Sequence, residues 1–135
     1  MVTPAEVSAF LAREFPQNPC LVESLDARGA TVRRRVSNAD LRPGGTVAGP
    51  VLFAVADSAL YVALFGALGV ITPMAVTSSL NINFLSRPAA DRDLLGVCSL
   101  LKVGRTLVVG EVSIYSEGQP APVAHAVGTY ALPRG

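Results

Sequence analysis

The stretch Gly49–Leu68, GPVLFAVADSALYVALFGAL, is a long apolar run with a single charged residue, Asp57, near its middle. Proline suits the first turn of a helix, so Gly49 and Pro50 mark a helix start, and Gly69 suits the end. At 1.5 Å per residue this helix would be about 30 Å long, enough to cross a small domain. Apolar residues lie on all of its faces, which predicts a central helix covered by the rest of the chain.

The same stretch is long and apolar enough for a membrane span, which is the alternative interpretation. A charged residue inside a span costs roughly 2.5–3.5 kcal/mol on insertion scales, and Ser58 and Gly66 weaken the apolar run. No basic cluster flanks either end, and strand-like segments follow. We therefore expect a core helix and no membrane span. Inside such an apolar helix the Asp57 carboxylate needs polar partners that offset the cost of its burial. It is either a structural acid, which pairs with an arginine or caps a neighbouring loop, or a functional group.

The composition indicates one domain, residues 1–135. Half of the residues are hydrophobic and 16% are charged, which favours burial of apolar surface between subunits. A net charge of +1, 6% aromatic residues and no Trp argue against nucleic-acid binding. Cys20 and Cys98 lack metal-ligand spacing and, with no signal-peptide pattern, are expected to be free thiols in the cytoplasm. His125 is the one histidine and is expected to be structural, and neither a metal nor a cofactor is predicted.

The segment before the central helix predicts a short helix and two strands. Residues 1–16 precede the core, and Thr3-Pro4-Ala5-Glu6 has the capping-box spacing of a helix start. Strands are predicted at Leu21–Ala27 and Ala30–Ser37, joined by a tight turn. A polar, glycine-rich loop, Asn38–Val47, then leads into the central helix.

The segment after the central helix predicts four strands. The first has alternating apolar and polar residues, with Val76, Leu80, Ile82 and Phe84 on one parity and Thr77, Ser79, Asn81 and Asn83 on the other. A hairpin of Leu94–Val103 and Thr106–Tyr115 follows, and Val123–Leu132 is the last strand. One long helix inside a mainly antiparallel sheet is an α+β fold.

The N-terminus of the central helix predicts an anion or carbonyl site at Gly49. Free N–H groups and the helix dipole point there, and glycine lets a ligand approach the backbone closely. Gly49 and Asp57 are eight residues apart in the sequence. On one helix that spacing corresponds to about 12 Å, so a single reacting group cannot touch both. If both serve one reaction, the acid comes from one subunit and the N–H donor from its partner in a two-fold dimer.

Three segments carry a resemblance to a known family. They are Gly49-Pro50 with Phe53–Ala59, Ala75–Thr77 with Leu80–Leu85 and Arg87-Pro88, and Lys102–Arg105. Over roughly residues 20 to 132 the chain resembles the hotdog-fold thioesterases, and among them the PaaI-like branch. The resemblance implies a sheet of five or six strands around the central helix, paired subunits with a continuous sheet, and hydrolysis of acyl-CoA thioesters.

The resemblance also implies roles for single residues. The carbonyl-polarising N–H of the family falls on Gly49, and Asp57 of the other subunit would be the nucleophile or the general base. Thr77 would position Asp57 or the water with its hydroxyl. Relatives start the helix with His-Gly-Gly, whereas this chain has Ala48-Gly49-Pro50.

The expected substrate-binding residues lie in the loop before the helix, on the helix and at strand ends. Arg42, or Asn38, stands near the position where relatives carry a water-orienting Asn or Gln. Arg87, Lys102 and Arg105 are candidates for the phosphates of CoA. Pro50 belongs to the helix start, and Tyr61 either lines an acyl tunnel or fills the core.

The predicted function is acyl-CoA hydrolysis by a cytoplasmic homodimer that assembles into a tetramer. A non-catalytic acyl-CoA or acyl-chain binding protein would keep the fold and the Gly49 site but show no turnover. A hydratase on the same fold is less favoured, because that chemistry normally needs a histidine beside the acid. Ser58 is expected to pack rather than to act as a nucleophile, because no histidine is available nearby to activate it.

Overall fold

The structure is a computed structural model that describes residues 1–134. These residues contain one six-stranded antiparallel sheet, two α-helices and a small two-stranded ribbon. The helices are α1 (Pro4–Glu14) and α2 (Gly49–Leu68). The strands are β1 (Leu21–Leu25), β2 (Gly29–Arg34), β3 (Leu41–Arg42), β4 (Thr46–Val47), β5 (Val76–Phe84), β6 (Leu94–Val103), β7 (Leu107–Ser116) and β8 (Ala124–Ala131). The strand order in the sheet is β1-β2-β6-β7-β8-β5. The predicted α+β architecture, with a long helix against a mainly antiparallel sheet, is confirmed.

The helix α2 is the centre of the molecule. Pro50 lies in its first turn, and it ends at Gly69, which adopts the left-handed conformation (φ 74°) and donates its N–H to the Phe65 carbonyl at 2.8 Å. α2 is apolar and long enough to span a membrane, yet 61% of that apolar window is buried inside the protein. It is the core helix that the sequence predicts.

The sheet curves around α2, and two glycines of neighbouring strands allow the close approach. A Cβ at Gly110 would lie 2.7 Å from a methyl carbon of Leu60, and a Cβ at Gly128 would lie 2.8 Å from the other methyl carbon. Leu60 is fully buried. A larger residue at either glycine would force the Leu60 side chain or the helix to shift, so these glycines allow α2 to pack closely against the sheet.

The helix α1 closes one end of the core. Its N-cap Thr3 accepts a hydrogen bond from the Glu6 N–H at 3.2 Å, as the capping-box spacing predicts. Val7, Phe10 and Leu11 form its buried face. The Phe10 ring meets the Phe65 ring edge to face, with centroids 5.9 Å apart. α1 therefore packs against the C-terminal half of α2, away from the start of that helix.

The segment between β2 and α2 is more ordered than the loop that the sequence predicts. It contains a 3-10 turn at Asn38–Asp40 and the β3–β4 ribbon, which turns at Gly44 and Gly45 with positive φ angles of 100° and 74°. Asp40 is buried, with 8% of its surface exposed, and accepts hydrogen bonds from the Arg34 guanidinium and the Ser37 N–H, both at 2.9 Å. The Asp40 carbonyl accepts the Ala48 N–H at 2.9 Å, so this residue connects β2 to the start of α2.

Asp40 is expected to make folding stability depend on pH in the acidic range. Burial acts to raise the pKa of its carboxyl, but the Ser37 N–H and the Arg34 guanidinium outweigh burial and lower the pKa below its ordinary value. A lowered folded-state pKa adds stability above the unfolded pKa of about 3.9, and this contribution is lost as the pH falls through the folded value. Asp40→Asn should therefore lower the free energy of unfolding at pH 7 by about 3 kcal/mol.

Urea denaturation of the parent and of Asp40→Asn, measured between neutral and strongly acidic pH, checks this prediction. The gap between the two proteins should close as the pH falls below the folded pKa. Asp91→Asn is the matched control, because Asp91 is exposed and makes no side-chain hydrogen bond within residues 1–134. A gap that stays constant with pH would contradict the assignment to Asp40.

Candidate functional site

The Asp57 carboxylate lies at a junction of three elements, α2, β5 and β8. Its Oδ1 atom accepts a hydrogen bond from the Thr77 hydroxyl at 2.6 Å and another from the Tyr130 hydroxyl at 2.7 Å. No arginine or lysine pairs with Asp57 within residues 1–134. The structural alternative, an acid neutralised by an ion pair, is therefore not what surrounds this side chain in the described chain. Two hydroxyl donors fix one oxygen and leave Oδ2 without a hydrogen-bond partner among residues 1–134.

Thr77 reaches Asp57 because β5 contains a bulge, which the sequence pattern does not reveal. Strict alternation predicts Thr77 on the face opposite Leu80. The register of β5 against β8 shifts between Thr77 and Ser79, so Thr77 lies opposite Tyr130 while Leu80 lies opposite Gly128. The extra residue brings Thr77 and Leu80 to the same, helix-facing side of the sheet. The parity assignment of Thr77 was wrong, and the bulge is the reason.

Tyr130 is a member of the cluster that sequence reasoning missed. It is 4% exposed, on the face of β8 that packs against α2. Burial and, second, the charge of Asp57 raise the pKa of the Tyr130 hydroxyl far above its ordinary value, so it remains a donor. A signal was present in the sequence, since a buried tyrosine hydroxyl needs a partner and the last strand alternates through Ala124, Ala126 and Gly128 to Tyr130.

Tyr61 supports the cluster without touching the carboxylate. Its ring stacks on the Tyr130 ring, with centroids 5.7 Å apart and planes 26° apart. Its hydroxyl donates to the Pro73 carbonyl at 3.0 Å. Burial and, second, the charge of Asp57 raise the pKa of Tyr61. With 8% of its surface exposed, Tyr61 belongs to the core of the single chain.

Gly49 lies at the first position of α2 with its N–H free of any acceptor among residues 1–134. Pro50 is exposed beside it. The Phe84 ring covers Gly49, since a Cβ at Gly49 would lie 3.4 Å from the ring carbon Cζ. An unpaired N–H at the positive end of a long helix is suited to a carbonyl oxygen or a developing oxyanion.

The two halves of the candidate site lie at opposite ends of β5. Thr77, near the start of the strand, contacts Asp57, and Phe84, its last residue, contacts Gly49. The structure therefore brings together Asp57 and Thr77, and it keeps Gly49 apart from them. About 12 Å of helix separates Gly49 from Asp57 in one chain.

The four cationic residues that the sequence predicts to bind substrate are exposed, and two of them lie towards each end of β5. They are Arg42, Arg87, Lys102 and Arg105. Arg42 pairs with Thr46 in the ribbon, and the Thr46 hydroxyl donates to the Pro88 carbonyl at 3.0 Å, so Arg42 and Arg87 belong to neighbouring segments. Lys102 and Arg105 lie at the β6–β7 turn, where β7 begins opposite Ala131, the partner of Val76. Asn38 is exposed in the 3-10 turn. One chain therefore has a pair of cationic residues at the Gly49 end of β5 and another pair at the Asp57 end.

The sequence model of the thioesterase superfamily matches residues 44–123 of the chain, a range that includes Gly49, Asp57 and Thr77. A crystal structure of a candidate thioesterase from Silicibacter sp. TM1040 is 40% identical, covers 99% of this chain and 94% of that one, and has a TM-score of 0.89. The chain belongs to the thioesterase superfamily. A search of curated proteins for sequences similar to this thioesterase finds no match.

More distant structures share the fold of this thioesterase. Zebrafish thioesterase superfamily member 2 is 21% identical, with 98% of this chain and 100% of that one covered and a TM-score of 0.85. The Escherichia coli PaaI protein from the phenylacetic acid degradation operon is 23% identical, with 95% and 97% covered and a TM-score of 0.75. At these identities the likeness shows the fold alone. The predicted hotdog fold is confirmed, and the superfamily makes the chain a thioester hydrolase.

A cavity of about 450 Å³ lies elsewhere in the thioesterase. It is lined by α1, by the segment from Pro16 to Leu21, and by Arg33 and Arg35. Neither Asp57, Thr77 nor Gly49 contributes to it. This cavity is therefore separate from the Asp57 cluster.

Proposed function

We propose that this thioesterase hydrolyses acyl-CoA at a site shared by two subunits, in which one chain supplies Asp57 and the other supplies the Gly49 N–H. The observation that carries the proposal is the position of β5. It is the last strand of the sheet, and it has the Asp57 cluster at one end and Gly49 at the other. We place the enzyme in the cytoplasm, where acyl-CoA is available.

The exposure of β5 supports pairing with a second copy. Seven of its nine residues are exposed and two are half-buried. Val76 and Phe84, at its two ends, are 58% and 55% exposed. A long edge strand with apolar side chains and open backbone groups tends to pair with another chain.

Two-fold symmetry explains how pairing would complete the site. Around a two-fold axis near the middle of β5, two copies of the strand run antiparallel. The Thr77 end of one copy then lies beside the Phe84 end of the other. The Asp57 cluster of each subunit would thereby approach the helix start of its partner, and two equivalent sites would form.

Hydrolysis by general-base catalysis would use the free oxygen of Asp57. Oδ2 takes a proton from water, and the water oxygen bonds to the thioester carbonyl carbon. The oxyanion accepts a hydrogen bond from Gly49 of the partner subunit, aided by the dipole of α2. The carbon–sulfur bond then breaks and Asp57 returns the proton to the CoA thiolate, which yields a carboxylic acid and free CoA.

Nucleophilic catalysis is the other route open to the same residues. Oδ2 would bond directly to the carbonyl carbon, the CoA thiolate would leave, and water would hydrolyse the resulting anhydride. Rapid-quench mass spectrometry separates the two routes, because only the nucleophilic route passes through an acylated protein.

The cationic residues suit the nucleotide end of CoA in such a dimer. Pairing through β5 would bring Arg42 and Arg87 of one subunit towards Lys102 and Arg105 of the other, around the same site. Guanidinium and ammonium groups are the usual protein partners of phosphate. Pro50 and Asn38 would line the approach to Gly49, and Tyr61 would act as a wall behind Asp57. A tetramer of two such dimers is the assembly that we expect.

A non-catalytic acyl-CoA binding protein is the second candidate function. The observation that favours it is Ala48, which stands where the family resemblance expects a histidine at the helix start. A hydratase is disfavoured by His125, whose Nε2 lies 3.0 Å from Glu111 Oε1. His125 alternates with Ala124 and Ala126, which face α2, so it lies on the outer face of the sheet and away from Asp57.

Steady-state assays with a panel of acyl-CoA substrates and a thiol reagent test the proposed function. We expect release of free CoA at a rate that is proportional to enzyme concentration and well above spontaneous hydrolysis. Acyl-CoA binding in calorimetry without any release of CoA would overturn the proposal in favour of the binding protein. Hydration of an enoyl-CoA without thiol release would favour the hydratase.

A further inference from the structure

We propose that Tyr130 is a positioning residue which, together with Thr77, holds Oδ1 of Asp57 and leaves Oδ2 as the oxygen that reacts. The inference rests on the proposed function and adds to it a residue and the identity of the reacting atom. Thr77 and Tyr130 lie opposite each other on β5 and β8, and their hydroxyls converge on one carboxylate oxygen at 2.6 Å and 2.7 Å.

The direction of the Tyr130 hydrogen bond is set by its chemistry. A phenol has one proton to donate, and the Asp57 Oδ1 atom at 2.7 Å is closer than the Asp57 main-chain carbonyl at 3.3 Å. An ionised carboxylate only accepts hydrogen bonds. Since burial keeps the Tyr130 hydroxyl protonated, it can hold Oδ1 throughout the pH range in which the enzyme would work.

Tyr130 is itself held rigidly, which a positioning residue requires. Its ring stacks on Tyr61, and the Tyr61 hydroxyl is anchored to the Pro73 carbonyl at 3.0 Å. Tyr61 and Tyr130 are the titratable groups whose own ionisation is affected by the charge of Asp57. Neither carries a charge at neutral pH, so Tyr130, supported by Tyr61, orients the carboxylate without neutralising it.

Tyr130→Phe removes one donor to a charged acceptor and keeps the stacked ring. We expect kcat to fall about 10- to 100-fold with little change in KM, since the hydroxyl contacts Asp57 and not the substrate. The acidic limb of the kcat/KM profile should also move to higher pH, because the charged form of the carboxylate has lost a hydrogen bond. Thr77→Val should give the same two changes, and Thr77→Ser, which retains a hydroxyl, should restore both.

The pH profile separates positioning from a merely structural role. A less stable Tyr130→Phe would unfold at a higher pH than the parent, so circular dichroism at each pH measures the folded fraction, and the acidic limbs are compared only over the pH range in which both proteins are folded. Tyr115→Phe is the matched control, because Tyr115 lies on the β7 face opposite the Asp57 cluster and makes no side-chain hydrogen bond within residues 1–134. It should behave as the parent in both readouts.

Asp57→Asn, measured in parallel, distinguishes the failure of this inference from the failure of the proposed function. An inactive Asp57→Asn with a parent-like kcat and acidic limb in Tyr130→Phe would overturn the role of Tyr130 alone. A fully active Asp57→Asn would overturn the proposed chemistry, and the role of Tyr130 with it. Loss of kcat and an upward shift of the limb in both Tyr130→Phe and Thr77→Val support the inference.

Discussion

Asp57→Asn should lower kcat for acyl-CoA hydrolysis by about 1,000-fold, within the range that a positioned general base usually contributes. The amide of asparagine has no oxygen that can take a proton from water or form an anhydride. Its own carbonyl oxygen can still accept the hydrogen bonds that Thr77 and Tyr130 donate to Oδ1. The fold should therefore survive, and the loss should appear in kcat much more than in substrate affinity.

Two measurements check this expectation. Thermal unfolding of Asp57→Asn should stay close to that of the parent, and acyl-CoA binding in calorimetry should be retained. Asp91→Asn makes the same chemical change at an exposed position and should leave hydrolysis unchanged. Hydrolysis at the parent rate in Asp57→Asn would remove the carboxylate from the mechanism.

The central helix could be predicted from the sequence because its signals are local and agree with each other. Pro50 marks the start, Gly69 marks the end, and the residues between them are apolar on every face. The strands after the helix follow from alternation over eight to ten residues, as in β6 and β8. The position of Asp57 near the middle of the helix follows from the same start and end signals.

The β-bulge and the ribbon could not be predicted, because long-range contacts decide them. The extra residue in β5 appears only when the strand is aligned with β8, and this single shift decides whether Thr77 reaches Asp57. The ordered segment before α2 depends on the ion pair between Arg34 and Asp40, which joins two different elements. Neither contact leaves a periodic pattern in the sequence.

Tyr130 illustrates a different limit. Its inward orientation can be read from alternation in the last strand, but the partner of its hydroxyl is 73 residues away in the sequence. The resemblance to hotdog-fold thioesterases directs attention to the helix and to the strand after it. The third element of the cluster becomes visible only in three dimensions.

Mixing two inactive variants should restore hydrolysis if the site is shared between subunits. One variant is Asp57→Asn, and the other is Gly49→Pro, which removes the N–H donor and should lower kcat by about 100- to 1,000-fold. Ala48 already has the extended conformation (φ −69°, ψ 146°) that precedes proline, and thermal unfolding checks that two successive prolines leave the start of α2 folded. Gly49→Ala is the control, since it keeps the N–H and its Cβ would only touch Phe84 at 3.4 Å.

The expected recovery follows from counting sites. After subunit exchange about half of the dimers contain one chain of each variant, and each mixed dimer has one site with an intact Asp57 facing an intact Gly49. Its second site carries both defects, so the mixture should reach about one quarter of the parent activity per chain. Size-exclusion chromatography with light scattering verifies that dimers or larger assemblies are present. If Asp57 and Gly49 act within one chain, every site keeps one defect, and a mixture no more active than its components would contradict the shared site.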